Sequence, residues 1–427
     1  MFKNLKLILT ASLVFLIPSM VYAEVDPETA YVFNSLSFIM HGFLVMLMAA
    51  GFCMLEAGLV RSKNAAGQSL KNIGLYSLAG IMFALIGYNL MYMDVSTWVG
   101  SISLWSPSDV DVDGGYSAGS DWFFQMVFCA ATASIVSGAV AERVRIPAFF
   151  VFTIILTGII YPIQGSWSWG GGYLSNAGFL DFAGSTIVHS VGGWAALTGC
   201  IIIGARKGKY SEDGSVNPMP GSNLPMATLG VFLLWFGWFG FNGGSQLAMG
   251  SAADVNDISN IYINTNLAAA AGAVAALIIT SLLYNGKMDL TMVLNGALGG
   301  LVAITAEPLA PSPYLAMLIG AIGGAIVVFA VPLLDQFKID DVVGAIPVHL
   351  AAGIWGTIAV ALFGNFEMMG VEKTRLEQLF IQLIGIGAIG SFCFFGSYIV
   401  LKTINSFYPL RVGKIQEELG LNISEHN

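Results

Sequence analysis

The sequence predicts an all-α polytopic membrane protein, and three observations support that fold class. The chain has 427 residues, of which 56% are hydrophobic and only 10% are charged, whereas soluble globular proteins carry about 25% charged residues. Apolar runs of membrane-spanning length recur along almost the whole chain. The basic residues gather in alternate breaks between these runs, which is the pattern expected when successive runs cross a membrane.

Eleven candidate transmembrane helices follow the amino-terminal segment. Most breaks between them contain Gly, Pro, Asn or Asp, the residues typical of turns. The predicted spans cover residues 32–60, 70–94, 120–141, 146–165, 181–205, 223–248, 260–284, 289–307, 312–334, 341–364 and 377–404. Small-residue patterns such as GALGG and GAIGG indicate close packing between these helices.

The first 23 residues have the composition of a secretory signal peptide. Two lysines precede the short apolar run LILTASLVFLIP, and the small residues that end at Ala23 fit a cleavage site. An uncleaved anchor is the alternative interpretation. We therefore expect a signal peptide over 1–23, a membrane domain over 24–404 and a short cytoplasmic tail over 405–427.

The distribution of basic residues predicts the orientation of the chain. Cleavage would leave the N-terminus outside, and eleven spans would then place the C-terminus in the cytoplasm. With this orientation, thirteen Lys and Arg residues of the mature chain lie on the cytoplasmic side, and only Lys373 and Arg375 lie outside. This split agrees with the positive-inside rule. We predict a multi-pass protein of the cell (inner) membrane.

Several other classes of function receive no support from the sequence. There is no basic stripe of the kind that binds nucleic acid. The four cysteines lie in apolar segments without metal-ligand spacing, which favours buried free thiols over a disulfide framework or a metal site. No cofactor is predicted, and we expect the protein not to be an enzyme.

One pattern of polar residues occurs twice within the predicted spans. His189 follows Asp181 by eight residues in the fifth span, and His349 follows Asp341 by eight residues in the tenth. These two spans run in opposite directions. The first ten spans therefore divide into a 5+5 inverted repeat, and the eleventh is an extra helix. Inverted repeats are a recurrent transporter design. Eight α-helical residues rise about 12 Å. Both histidines are therefore expected near the midplane of a core about 30 Å thick.

The matched positions of the two histidines favour a function over simple packing. Ionisable residues inside a membrane are functional candidates by default, and each histidine precedes a glycine by four residues, Gly193 or Gly353. His41, a lone histidine in the first span, is interpreted as a packing or interfacial residue. Asp181 and Asp341 stand at helix starts, where Asp commonly caps backbone N–H groups. We therefore assign both aspartates a supporting role.

Several longer motifs resemble a known family. They are GLVRSKN (58–64), AERVR (141–145), WGGGYL (169–174), DFAGSTIVH (181–189), GWFGFNGGS (237–245) and DDVVGAIPVH (340–349). Over essentially the whole mature chain, the sequence resembles the ammonium transporter family (Amt/Mep/Rh), specifically its bacterial Amt members. The resemblance implies ammonium or ammonia as substrate, a hydrophobic pore in each subunit, a homotrimer, and regulation by a PII-type protein at the cytoplasmic face.

The resemblance also implies roles for individual residues. His189 and His349 match the paired pore histidines, and Thr305 matches a supporting threonine at the outer end of the eighth span. The outer recruitment site for the cation corresponds to Phe128, Trp169 and Ser245.

The two phenylalanines of the gate above the pore correspond to Phe128 and Phe241. Without the resemblance, either phenylalanine would be interpreted as helix packing. Trp169 would likewise be interpreted as part of an interfacial aromatic belt.

The predicted chemistry explains how ammonium can be separated from potassium. An apolar path rejects both ions, because an isolated charge pays a large desolvation cost. Ammonium alone can lose a proton and continue as ammonia. The proton can then be relayed separately. We therefore predict ammonium transport. An ammonium sensor that signals through a partner is the main alternative, and an ion-coupled amino acid symporter lacks clear cation ligands.

Overall fold

The computed structural model describes residues 25–425, so the predicted signal peptide lies outside the described residues. Within this range the chain forms helices joined by loops, and its β structure is limited to two isolated bridges, Val144 with Arg411 and Tyr210 with Val216. The prediction of an all-α fold is therefore confirmed.

Eleven apolar helices, labelled α1 to α11 in chain order, build the described chain. They are Pro27–Leu59, Ser62–Tyr92, Ala118–Ala139, Ile146–Ser166, Ser185–Ile203, Leu224–Gly244, Ala252–Leu283, Leu290–Ile304, Pro313–Gln336, Ile346–Phe363 and Arg375–Phe407. Ten of them are long and apolar enough to cross a membrane, whereas α8 has only 15 residues. The count of eleven crossings thus depends on α8 and stays a prediction.

Local capping interactions explain why several helices begin earlier than their apolar runs. The Asp26 carboxylate accepts a hydrogen bond from the Thr29 N–H at 3.2 Å, and α1 begins between them. Ser251 and Asp254 form a reciprocal capping box that starts α7 eight residues before the predicted position. Such caps satisfy N–H groups that have no partner inside the helix.

The helices of the two predicted halves pack against their counterparts. Helix α1 lies along α6, the first helix of the second half, and α5 contacts α10. Helices α7, α9 and α11 leave large apolar side chains exposed, with Leu282 at 78%, Phe329 at 57% and Phe395 at 62% exposure. An apolar exterior of this kind fits a helix bundle that is solvated by lipid.

One end of the bundle, the basic end, is held together by a buried ion network. The Glu142 carboxylate accepts a hydrogen bond from the Arg61 backbone N–H at 2.7 Å and lies 3.4 Å from the Arg206 guanidinium. Arg206 also donates two hydrogen bonds of 2.8 Å to Asp340. Burial opposes ionisation of Asp340, but Arg206 and Arg143 outweigh it and lower the pKa of that carboxyl to about 2.

The C-terminal segment packs on the same basic end. Two short helices, Lys414–Leu419 and Leu421–Ser424, follow α11. Lys63 donates to the Glu417 carbonyl at 2.8 Å, and the Leu421 N–H donates to Asn64 at 2.9 Å. The segment therefore bridges the start of α2 to the end of the chain.

Lys71 is one of the thirteen basic residues counted on the cytoplasmic side, and it falls at the start of the predicted span 70–94. The structure begins this helix at Ser62, so Lys71 lies inside α2, where it is fully buried. Its ammonium group donates to the Ser137 carbonyl at 2.8 Å and lies 5.1 Å from the centre of the Phe149 ring. Lys71 is therefore a buried cation within the bundle.

Candidate functional site

A column of aromatic and imidazole rings runs through the interior of the bundle. The rings of Phe128 and Phe241 lie face to face with a 30° tilt between their planes, and their centroids are 4.0 Å apart. The His189 ring follows at 5.1 Å from Phe241, and the His349 ring at 5.2 Å from His189. Phe52 closes the column at 6.1 Å from His349. We call these five rings the ring column.

The two histidines meet through their Nδ1 atoms, which are 3.2 Å apart. One Nδ1 must therefore donate its hydrogen and the other must accept it. In the neutral pair, the donor ring then has an accepting Nε2 and the other ring has an Nε2–H. Nε2 of His189 is buried and has no hydrogen-bond partner among residues 25–425. The pair can thus offer one donor and one acceptor to a small polar molecule.

A wide helical turn positions each histidine. Residues Ser185–Ser190 and Ile346–Ala351 are π-helical, and they contain His189 and His349 respectively. Such turns are rare and frequently occur at functional sites. The carbonyl of Ile187, which lies within the first of these turns, accepts a hydrogen bond from the Gln164 amide at 3.0 Å.

The two aspartates lie immediately before these turns. Asp181 accepts hydrogen bonds from the backbone N–H groups of residues 184 to 187, at 2.8 to 3.1 Å. Asp341 accepts from Gly344 at 3.0 Å and from Ile346 at 2.6 Å. The carboxylates thus take up N–H groups that the helix starts would otherwise leave unpaired.

The depth estimate for the histidines was wrong in one respect. It assumed that an α-helix begins at each aspartate, but α5 begins at Ser185 and α10 at Ile346. Each histidine therefore lies near the start of its helix, because a bend that ends at a glycine with positive φ, Gly184 or Gly344, follows the aspartate. The two rings nevertheless meet, since both helices have the same arrangement.

Thr305 supports the His189 ring indirectly. The indole of Trp238 stacks on His189 with ring centroids 4.8 Å apart. The Trp238 Nε1–H donates to the Thr305 hydroxyl at 2.7 Å, and that hydroxyl donates to the Leu301 carbonyl at 2.7 Å. Thr305 therefore fixes the orientation of the indole that covers one face of the imidazole.

A cavity of about 380 Å³, the aromatic cavity, lies at the Phe128 end of the ring column. Phe128, Trp169 and Ser245 all line it. The Trp169 ring centroid lies 6.1 Å from that of Phe128, with the ring planes 79° apart. The Ser245 hydroxyl donates to the Phe241 carbonyl at 2.9 Å, so its oxygen lone pairs are available as acceptors.

Sequence reasoning missed a polar group in the wall of this cavity. Asp121 is buried, accepts a hydrogen bond from the Tyr88 hydroxyl, and accepts another from the Gln125 amide at 3.2 Å. Asp121, Gln125 and Phe128 occupy positions i, i+4 and i+7 of α3, one face of an α-helix. That spacing was a usable signal in the sequence.

A much smaller cavity, the His349 cavity, lies at the opposite end of the ring column. Its volume is about 10 Å³, which is close to the space that one water molecule occupies. His349, Phe52 and Glu56 are among the residues that line it. Glu56 was not singled out in the sequence, although an ionisable residue within the predicted span 32–60 was a sufficient signal.

His41 lies apart from the ring column and has its own partners. Its Nε2 is 2.8 Å from the Tyr262 hydroxyl, and its Nδ1 is 2.9 Å from the Ser37 carbonyl. Both ring nitrogens are therefore hydrogen-bonded, as in a core histidine with a structural role.

The fold and the buried ring column define a multi-pass helical membrane protein of the transporter class. Comparison with known proteins gives the family: the profile of the Ammonium Transporter Family matches residues 36–427. The chain belongs to this family, which confirms the resemblance found in the sequence. Its relatives are named as transporters, which also confirms the prediction that the protein is not an enzyme.

Individual relatives cover most of the chain. The ammonium transporter Amt2 of Archaeoglobus fulgidus is 41% identical over 405 residues, which cover 90% of this chain and 85% of that protein. The ammonium transporter of Bacillus subtilis is 34% identical over 394 residues, covering 90% of this chain and 94% of its own length.

Two solved structures have the same fold. A protein described as a sensor Amt protein superimposes with a TM-score of 0.87 at 36% identity, covering 94% of this chain and 100% of its own. Mep2 of Candida albicans superimposes with a TM-score of 0.81 at 28% identity, covering 92% of this chain and 89% of its own.

Proposed function

We propose that this protein conducts ammonium nitrogen through a path along the ring column. Ammonium is recruited in the aromatic cavity and loses a proton. Ammonia then passes the histidine pair, and the proton is relayed separately along the same pair, so that net charge crosses the membrane. The observation that carries the proposal is the 3.2 Å contact between the Nδ1 atoms of His189 and His349 in the buried interior. An imidazole pair there gives ammonia hydrogen-bonding partners in surroundings that offer few others.

The aromatic cavity has the chemistry needed to hold a monovalent cation. Phe128 and Trp169 offer aromatic faces, which attract a cation by about 0.5–2 kcal/mol each. The Ser245 oxygen can accept a hydrogen bond from an ammonium N–H, and the carboxylate of Asp121 adds negative charge to the same wall. The stacked rings of Phe128 and Phe241 then form a gate that closes the column to a hydrated ion.

The histidine pair favours ammonia over any ion. Two imidazoles in contact resist carrying two positive charges, and burial disfavours even one. A neutral pair has one free acceptor and one free N–H, so it can receive a hydrogen bond from ammonia and donate one to it. Potassium can neither lose a proton nor donate a hydrogen bond, and it pays the desolvation cost in full.

We also propose the topology that the basic residues predict. The aromatic cavity faces outward, the basic end faces the cytoplasm, and α8 completes eleven crossings of the cell (inner) membrane. The positive-inside distribution supports this orientation. A cysteine placed at Lys373 should react with an impermeant thiol reagent from outside, and one at Lys287 should not; the reverse labelling contradicts the orientation.

Two assembly proposals follow from the family. We propose that the protein is a homotrimer. Light scattering of the detergent-solubilised protein would measure its mass directly, and a monomeric mass would contradict the proposal. We propose further that a PII-type protein binds the basic end. A pull-down that recovers no such protein at any nucleotide or 2-oxoglutarate concentration would contradict that second proposal.

A sensor role is the second candidate function. It is supported by the superposition on a sensor Amt protein at a TM-score of 0.87. A sensor that only binds ammonium gives no sustained flux, whereas a transporter does, so one measurement separates the two.

That measurement is the current after an ammonium concentration jump on proteoliposomes that contain the full chain. We expect an inward current with ammonium, a smaller one with methylammonium, and none with potassium at equal concentration. Protein-free liposomes are the control. A potassium current as large as the ammonium current, or the absence of any ammonium current, would contradict the transport proposal.

A further inference from the structure

Beyond the histidine pair, the ring column ends near a buried carboxylate that the proposed path does not use. Glu56 lies four residues after Phe52 in α1, one helical turn further along the same face. It is only 1% exposed. Glu56 and His349 both line the His349 cavity, whose volume of about 10 Å³ admits one molecule of the size of water or ammonia.

The two carboxylate oxygens of Glu56 have different surroundings. Oε2 accepts hydrogen bonds from the Gln68 amide, from the Asn72 amide at 2.7 Å and from the Ser137 hydroxyl at 2.8 Å. Oε1 is buried and has no hydrogen-bond partner within the described chain. One oxygen therefore anchors the side chain, and the other remains free to exchange a proton.

A glycine on α3, Gly138, lies beside Oε1. A Cβ atom added to Gly138 would lie 3.4 Å from Oε1 and 2.5 Å from the side chain of Val343, which is another residue of the His349 cavity. The missing side chain therefore leaves room beside Oε1 on the side of that cavity.

A buried cation compensates the charge of Glu56. Lys71 is fully buried, and its ammonium group bonds to the Ser137 carbonyl at 2.8 Å, while the Ser137 hydroxyl bonds to Glu56. Ser137 thus joins the two charged groups. Paired burial lowers the cost of keeping an ionisable carboxyl in the interior.

We propose that Glu56 is the proton-accepting group on the far side of the histidine pair from the aromatic cavity. The inference rests on the proposed transport function and deepens it, because it names the exit of the proton that ammonium leaves behind. An N–H bond of ammonium breaks as an N–H bond forms at the free Nε2 of His189, and a proton moves across the Nδ1–Nδ1 contact to His349. The Nε2–H bond of His349 then breaks, and an O–H bond forms on Oε1 through the one molecule that the His349 cavity admits. Oε1 gives this proton to ammonia that has passed the pair, which forms ammonium and restores the carboxylate, so the pair holds the extra charge only in transit.

The test is Glu56→Gln in the full-length protein, reconstituted in proteoliposomes. The amide oxygen can keep the three hydrogen bonds of Oε2, while an NH₂ group replaces the proton-accepting Oε1. We expect the ammonium-jump current to fall at least tenfold. The lumen, read with a trapped pH dye, should become more alkaline than with wild type, because ammonia then enters without its proton. Glu56→Asp keeps a carboxylate and should restore part of the current.

Glu307→Gln is the matched control. It makes the same substitution at a glutamate away from the ring column, whose carboxylate accepts backbone hydrogen bonds from Leu309 and Ala310. Its current should stay within twofold of wild type.

The possible outcomes separate this inference from the proposed function. A wild-type current in Glu56→Gln overturns the role of Glu56 alone. Loss of current in Glu56→Gln with no more alkalinisation than in protein-free liposomes, and without recovery in Glu56→Asp, also overturns it, because that result indicates a structural role. A wild-type protein that gives no current overturns the transport function itself.

Discussion

The indole of Trp169 connects the aromatic cavity to the helix that carries His189. Its Nε1–H donates to the Asp181 carbonyl at 2.8 Å, and the Asp181 carboxylate caps the start of α5. Its ring forms part of the cavity wall beside Phe128. One side chain thus offers an aromatic face to the cavity and a hydrogen bond to the residue that caps the histidine helix.

We predict that Trp169→Ala weakens ammonium recruitment. Loss of an aromatic face worth about 0.5–2 kcal/mol should raise the half-saturating ammonium concentration by about 2- to 30-fold in current recordings. Trp169→Phe keeps an aromatic face but loses the N–H. Its half-saturating ammonium concentration should therefore lie between those of wild type and Trp169→Ala.

Trp355→Phe is the control for these two variants. Trp355 lies outside the aromatic cavity, where its Nε1–H donates to the Ile319 carbonyl at 3.0 Å. This change should leave the half-saturating concentration unaltered. An unchanged value in Trp169→Ala would remove Trp169 from the recruitment site.

At the residue scale, the sequence identified the histidines more readily than the carboxylates. The repeated eight-residue spacing made His189 and His349 conspicuous, because the same pattern occurred in two spans. Asp121 and Glu56 occur once each near the ends of apolar runs, where a charged residue is easily taken for a loop or cap. Their burial depends on contacts with other helices, such as the hydrogen bond from Tyr88 to Asp121.

The crossing of α5 and α10 is what brings the two imidazoles together. The glycine four residues after each histidine lies at this crossing. A Cβ added to Gly193 would lie 2.7 Å from the backbone N of Leu350, and one added to Gly353 would lie 2.6 Å from the Ser185 carbonyl oxygen. Backbone atoms cannot move aside as a flexible side chain can, so any side chain here must push the helices apart.

We predict that Gly193→Ala and Gly353→Ala each lower stability and transport. Overpacking of this kind costs about 1–3 kcal/mol. The thermal unfolding midpoint in detergent should fall, and the ammonium current should fall with it, because the distance between the histidine rings depends on this contact.

Gly387→Ala provides the matched control on α11. An added Cβ at Gly387 meets no heavy atom within 4 Å, and Ala has the higher helix propensity. Its unfolding midpoint should equal or exceed that of wild type. If Gly193→Ala melts and conducts like Gly387→Ala, the close crossing is not needed.

At the element scale, helix existence was predictable and helix starts were less so. Apolar runs predicted every helix from α1 to α11, because burial and lipid contact both require apolar side chains. The starts of α5 and α10 were predicted four and five residues too early. The aspartate caps act across a short bend that ends at a positive-φ glycine, and hydropathy alone does not distinguish such a segment from a helix.

Contacts between the two halves define the molecule as a whole. His189 and His349 are 160 residues apart in sequence and meet only when α5 and α10 pack together. The basic end is joined in the same way, because Glu142 from the first half and Asp340 from the second both contact Arg206. The correspondence of His189 with His349 was readable from residue spacing, whereas this ion network required the packed structure.

The central claim is that the histidine pair carries ammonium transport. Its most direct test is the ammonium-jump current of His189→Ala and His349→Ala in proteoliposomes, with His41→Gln as a control at a histidine outside the ring column. Both alanine variants should elute like wild type in gel filtration and give no current, while His41→Gln should conduct. Wild-type currents in correctly assembled His189→Ala or His349→Ala protein would contradict the claim.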